Sequence, residues 1–271
     1  MNTPKRAGVL VDLDGTLVDT NYVHTLAWSR AFRELGEWAP MNAIHRLVGM
    51  GGDQLVPQLL GHDVDGADAA HDRHYAELKG DVKPFPGAAR FLRRMRDAGL
   101  IVVLATSASE ADLDDMRAIL DADDAIDAVV HADDVERSKP EPEIFNAARD
   151  KGEIDRTLVL AIGDSVWDVE AASAAGMGCV TVESGGSSRH ELAEAGAIAV
   201  YRDVQELGDQ LLTSPIGNLI SRLAGREPTS VLGPAGLRAP DEVDDQHDEK
   251  DDDQSSNADK HERHSSRETS E

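Results

Sequence analysis

"VLVDLDGTLVDT", residues 9–20, decides how this chain is read. An apolar run of strand character at 8–13 carries Asp12, and Asp14 follows directly with Gly15 and Thr16 behind it. Residues two apart on a strand point to one face, so the two carboxylates emerge together at its carboxyl end. Open α/β sheets bind their ligands at that end. A solvated aspartate pair opening a glycine turn reads the same residues without any chemistry, so the rest of the chain has to decide.

Further apolar runs of strand length, rich in valine and isoleucine, recur at 100–105, 125–131, 157–162, 179–182 and 198–201. Segments of helical period lie between most of them, such as "PGAARFLRRMRDAG" and "PEIFNAARDKG". This alternation of helices with near-continuous apolar strands predicts an α/β fold, a doubly wound parallel-sheet (Rossmann-like) core covered on both faces. Residues 21–83 break the alternation with helical patterns and no strand, which predicts an inserted α-helical cap domain over 19–83. The core is then 1–18 plus 84–212, with a linker or peripheral segment at 213–240 that includes a short helix. Residues 241–271 hold 13 acidic and 4 basic residues with only two apolar ones. Such a segment cannot offset its ordering entropy by burial, so it reads as a disordered acidic C-terminal tail.

The full chain of 271 residues carries 52 acidic against 27 basic residues, a formal net charge of -25. That surface repels nucleic-acid backbones and anionic membranes, so neither is expected as a partner. Cys179 is the sole cysteine, which excludes an internal disulfide, and its apolar strand setting reads as core. The apolar run at 7–11 is too short for a signal-peptide core or a membrane span. A cytoplasmic protein, monomeric or weakly homodimeric, is the expectation.

Three more elements sit after a strand or before a helix. "VVLATSAS" puts Thr106 and Ser107 at the carboxyl edge of the second strand, "SKPEPEIF" fixes Lys139 before a helix, and "AIGDSVWDV" places Asp164 after a glycine with Asp168 one helical turn on. Taken singly, the threonine and the aspartates also fit helix caps and the lysine a surface charge. Taken together they give Asp-x-Asp, Thr, Lys and Gly-Asp-x-x-x-Asp in order on one rim. That set resembles the haloacid dehalogenase superfamily of aspartyl-nucleophile phosphohydrolases with a helical cap inserted after the first motif, over residues 8–212.

The resemblance implies a Mg²⁺-dependent phosphatase acting on a small phosphorylated metabolite through an aspartyl phosphate. Asp12 would attack phosphorus, Asp14 would protonate the leaving oxygen and then deprotonate water, Lys139 would neutralise charge and Thr106 would donate to a phosphoryl oxygen. Asp12, Asp164 and Asp168, with the Asp14 backbone carbonyl, would hold Mg²⁺. Asp14 favours phosphoryl transfer over dehalogenation, because a halide leaves without a proton. The segment between residues 21 and 78 has no lysine, which speaks against the phosphonate-cleaving branch with its cap lysine.

Substrate contacts are expected from Gly15, Thr16, Ser107, His24, Arg46 and the cap-loop glycines Gly49, Gly51 and Gly52. The glycines of "VGMGGDQL" either break a helix or form a mobile loop that closes over substrate. The opening with His24 and Trp28 also resembles β-phosphoglucomutases, so a sugar-phosphate mutase is the alternative. A mutase must grip a second phosphate, and the cap loop carries no cation, leaving Arg46 as the nearby substitute. A catalytically silent binding protein on the same fold is the alternative of another class.

Overall fold

The computed structural model describes residues 6–225; the expected acidic tail and the later part of the expected linker lie outside them. The chain runs β1 (Gly8–Val11), α1 (Asn21–Glu34), α2 (Met41–Leu47), α3 (Gly52–Leu60), α4 (Ala67–Leu78), α5 (Ala88–Asp97), β2 (Ile101–Ala105), α6 (Glu110–Leu120) and β3 (Ala128–Val130). It continues with α7 (Glu143–Lys151), β4 (Val159–Gly163), α8 (Val166–Ala174), β5 (Gly178–Val182), α9 (Arg189–Ala195), β6 (Ala199–Tyr201), α10 (Val204–Asp209) and α11 (Pro215–Leu223). The six strands form one sheet in the order β3-β2-β1-β4-β5-β6, and every pairing is parallel.

Strand alternation explains the two apolar layers. Val9 and Val11 of β1 join one core cluster with Phe91, Leu92 and Met95 of α5, while Leu10 joins another with Ile144 and Phe145 of α7 and Val169 of α8. All four strand residues of β1 are buried, as expected of a central parallel strand. The strand expected at 125–131 is shorter, because a 3₁₀ turn occupies Asp123–Ala125 and the Asp127 carboxylate accepts from the Val102 amide at 2.9 Å. The segment expected to be linker or peripheral from 213 on begins with α11, and Ile216 and Leu219 of that helix enter the first cluster. The buried core therefore runs past residue 212.

The chain leaves and re-enters the core through one narrow passage. The Asp19 amide donates to the Lys83 carbonyl and the Phe85 amide to the Leu17 carbonyl, both at 2.9 Å. Between those contacts, α1 to α4 bury a cluster of their own around Trp28, Phe32, Ile44 and Leu55. Among the described residues no helix is long and apolar enough to cross a membrane.

Candidate active site

Strand order reverses about β1, which lies between β2 and β4. Such a switch point opens a crevice at the carboxyl ends of the strands, because the connections on its two sides run to opposite faces of the sheet. Asp12 follows β1, Thr106 follows β2, Asp164 follows β4, and Lys139 arrives on the loop between β3 and α7. The motifs thus meet at one point although they span more than half of the described chain.

Lys139 is 1% exposed, and its ammonium is ion-paired to Asp12 and, at 2.8 Å, to Asp168. Burial alone would push the proton off, but the two carboxylates outweigh it and hold the pKa above the usual lysine value. The ammonium also lies 5.4 Å from the centre of the Phe145 ring. A solvated surface lysine, the other reading of this residue, is excluded.

Asp12, Asp164 and Asp168 are all buried, and one oxygen from each lies within 4.8 Å of the others. Three carboxylates thus face a single ammonium. Burial pushes the Asp12 carboxyl up to about 7, against the opposing pull of Lys139. Asp164 rises well above the usual carboxylate range, first through burial and then through the charges of Asp168 and Asp12. Three buried carboxylates grouped in this way could hold a metal ion.

Within this group Asp168 does two things. Its Oδ1 holds Lys139, and its Oδ2 accepts from the Ser165 amide at 3.1 Å and hydroxyl at 2.6 Å in a capping box that starts α8. The helix-cap reading of Asp168 is therefore correct and incomplete. Asp164 is no cap; it accepts from Thr16 Oγ1 at 3.0 Å and Asn21 Nδ2 at 2.9 Å. Gly15 is required next to it, since its φ is +72° and a Cβ there would overlap Asn21 and Asp164. Asn21 and the Gly185 loop after β5 belong to this arrangement, and the sequence reading did not single them out. Their partners are more than a hundred residues away, so no local pattern marks them.

The Asp14 side chain stands apart from the three carboxylates. It accepts from Thr20 Oγ1 at 2.6 Å and Thr106 Oγ1 at 3.3 Å, and lies 3.2 Å from His24 Nε2. Burial would raise its pKa, but the bonds from His24 and Thr20 prevail and lower it. Thr106 Oγ1 in turn accepts from the Ala108 amide at 3.1 Å, whereas Ser109 is the N-cap of α6. The cap reading of Thr106 is thus replaced by a bridge to Asp14.

Behind His24 lies a second histidine. His24 Nδ1 is 3.1 Å from Nε2 of His71 on α4, and His71 Nδ1 is 3.0 Å from Asp72 Oδ1. His71 packs on Trp28 at 4.3 Å and His24 on Tyr75 at 4.2 Å between ring centres. Burial lowers the His71 pKa and so favours the neutral ring. Hydrogen-bond complementarity then assigns its proton to Nδ1, facing Asp72, and leaves Nε2 to accept from His24 Nδ1. A proton between Asp14 Oδ1 and His24 Nε2, 3.2 Å apart, would complete this chain. His71 escaped the sequence reading because its helix offers histidines at 71 and 74, and only packing shows which one faces inward.

The cap loop reaches three core loops. Ser107 Oγ donates to the Gly49 carbonyl at 3.4 Å, the Gly51 amide donates to Ser138 Oγ at 3.1 Å, and a Cβ on Gly49 would come within 2.9 Å of Ser165 Oγ. These glycines permit close approach, with Gly49 also at φ +105°. A cavity of about 390 Å³ lies beneath, lined by Asp12, Asp14, His24, Ser107 and all three glycines. Arg46 does not reach it. Its side chain is 75% exposed and sits 3.8 Å from Glu191, beside a separate cavity that Asn21, His45 and Asp164 also line. The reason is helical: Arg46 is on the α2 face that looks toward α9.

A family model for haloacid dehalogenase-like hydrolases matches residues 7–176. A phosphoglycolate phosphatase of Rhodospirillum rubrum is 33% identical over 218 residues, covering 75% of this chain and 90% of that protein. The crystal structure of a hydrolase from Pseudomonas syringae superposes with a TM-score of 0.72 at 32% identity, covering 76% of this chain and 98% of the other. A protein described as a putative β-phosphoglucomutase from Bacteroides vulgatus shares the fold, with a TM-score of 0.70 at 21% identity over 82% of this chain and 91% of its own. Together with the rim of motif residues on a six-stranded parallel sheet, these likenesses place the chain in the haloacid dehalogenase-like hydrolase family, as a phosphoric monoester hydrolase.

Proposed function

We propose that the protein hydrolyses a small phosphomonoester in two displacements on Asp12, with Mg²⁺ as its metal. The observation that carries this is the division of labour between two neighbouring aspartates: Asp12 is held by Lys139, while Asp14 is held by His24, Thr20 and Thr106. In the first displacement an Asp12 oxygen bonds to phosphorus and the bond to the alcohol oxygen breaks, that oxygen taking the proton held between Asp14 and His24. In the second, water attacks the aspartyl phosphate, gives its proton to Asp14, and releases inorganic phosphate with Asp12 restored. Thr106 and Lys139 supply donors where charge builds on the phosphoryl oxygens. Asp12 and Asp164 would hold the Mg²⁺, with Asp168 positioning Lys139 beside them; the ion supplies charge neutralisation between two anions that must approach.

The cavity of about 390 Å³ suits a small molecule. Arg46, the cation a mutase would need for a second phosphate, stands outside this cavity, which favours the phosphatase reading over the mutase alternative. The Rhodospirillum rubrum relative is named for phosphoglycolate, yet the alcohol part of any substrate here must meet this chain's own cap. A cytoplasmic monomer or weak homodimer agrees with the acidic composition. Phosphate release from p-nitrophenyl phosphate with Mg²⁺, and none with EDTA, is the expected result. Full activity in Asp12→Asn would overturn the two-displacement mechanism.

A further inference from the structure

The phosphatase reading concerns the floor of the cavity; its cap side carries information about the rest of the substrate. Beyond Asp12 and Asp14, the cavity is lined by Asp53, Asp68, Asp72, Asp112, Asp133 and Glu136. Among the described residues no lysine or arginine lines it. The nearby cations are already engaged: Lys139 lies buried between Asp12 and Asp168, and Lys79 pairs with Asp112 at 3.3 Å and Asp115 at 2.6 Å from outside. His24 and His71 are tied into the Asp14 chain that ends on Asp72.

The remaining acids are unequal. Asp53 accepts from the Ser138 hydroxyl and amide, and Asp133 faces His131 at 3.4 Å. Asp68, in the first turn of α4, is reached by no hydrogen bond or ion pair among the described residues. Its carboxylate leans over Gly52, where a Cβ would overlap it, and so hangs beside the cap loop at the cavity wall. Its proton affinity is raised by partial burial and by the charges of Asp72 and Asp53, a sign that no cation offsets it. Trp28 lines the same wall, its ring buried between His71 and Phe32.

A ligand entering this space already brings one phosphoryl group, which the metal site and Lys139 can neutralise. A second anion on the same molecule would face Asp53, Asp68 and Asp72 with no counter-charge. Resting on the phosphatase reading, we propose that the cap selects phosphomonoesters by the charge of the alcohol part, ranking an ammonium group above a neutral hydroxyl and a neutral hydroxyl above a carboxylate or second phosphate. Like charges set against each other across a binding surface cost enough to separate such substrates by on the order of a hundredfold at low salt. Screening shrinks that separation as salt rises.

Three two-carbon esters of nearly equal size test this: O-phosphoethanolamine, 2-hydroxyethyl phosphate and 2-phosphoglycolate. With the full chain and Mg²⁺, kcat/KM is expected to fall in that order, and the spread is expected to narrow in high salt. Asp68→Asn should raise the phosphoglycolate to phosphoethanolamine ratio several-fold, and Asp68→Lys further, with thermal unfolding showing that both variants are folded. Phosphoglycolate turned over as well as phosphoethanolamine at low salt, or a ratio indifferent to both Asp68 variants, overturns the inference and leaves the phosphatase reading standing. Turnover of p-nitrophenyl phosphate with none of the three esters also overturns the inference alone. No phosphate release from any of the four overturns both.

Discussion

The floor and the cap side of the cavity are both rich in aspartate, yet they are built to opposite rules. On the floor, Lys139 and the carboxylates of Asp12, Asp164 and Asp168 are almost wholly buried, and every one of these side chains is held by a named partner. On the cap side, Asp68 is exposed and unheld among the described residues, and the acids around it are only tied from one side, Asp53 by Ser138 and Asp72 by His71. Burial without full charge balance stores a demand for a cation at a fixed place. Exposure leaves a diffuse field that can rank ligands by charge but cannot orient a reaction.

The sharpest way to break this comparison is to disable Asp14, the proposed proton carrier on the floor. Asp14→Asn should lower kcat by about 10² to 10⁴, the range of general acid–base catalysis, with a smaller loss for esters whose alcohol is a good leaving group. Equal loss on p-nitrophenyl phosphate and on an alkyl phosphate would remove Asp14 from leaving-group protonation.

Next in size is the structural demand of the floor. Lys139→Met removes the one cation among three buried carboxylates, and breaking a buried pair in this way costs about 3–5 kcal/mol, read as a lowered urea midpoint. An unchanged midpoint would mean that water already solvates this cluster.

A third test uses pH. Asp12 and Asp164 bind protons in the folded protein that the unfolded chain has already released, so folding stability must fall as pH rises from about 4 toward the Asp12 value of about 7. Asp14, with its lowered pKa, works in the other direction and only at the acid end. In the metal-free protein Tm should therefore drop across that window, and saturating Mg²⁺ should cancel the drop. Asp164→Asn should raise the metal-free Tm at neutral pH and abolish the Mg²⁺ effect; a Mg²⁺ shift that survives would place the ion elsewhere.

The smaller effects lie at the seam between floor and cap. His71→Ala should lower kcat a few-fold and displace the pH profile, because His24 loses the acceptor that fixes its tautomer, whereas His71→Gln should restore part of the profile. Loss of kcat with an unmoved profile would reduce His71 to packing. Smallest of all, Arg46→Ala should leave kcat/KM unchanged, since its side chain faces Glu191 and solvent. A large loss would reopen the mutase alternative.

How legible the protein was from its sequence follows the same division. Asp12, Thr106 and Asp164 were readable because each directly follows a parallel strand, and apolar strand runs announce themselves in sequence. The double duty of Asp168 was half visible: its cap is a local pattern with Ser165, but its hold on Lys139 spans two loops. The side on which Arg46 lies was not legible, because spacing along α2 does not say which face of a short helix meets the cavity. Helix α11 was undervalued for a related reason, since its turn-rich flanks hid an apolar stripe that only the core could claim.

By itself the sequence determined the alternating architecture and the rim on which the motif residues gather. Strand periodicity and strand-end position are local properties, and local properties are written in order along the chain. Only the tertiary structure decided that Asp12 and Asp14 part company, that His71 and Asp72 stand behind His24, and that the cap wall is acidic with no lysine or arginine lining it among the described residues. Those facts depend on which side chains meet between core and cap, and such meetings are fixed by packing between segments distant in sequence.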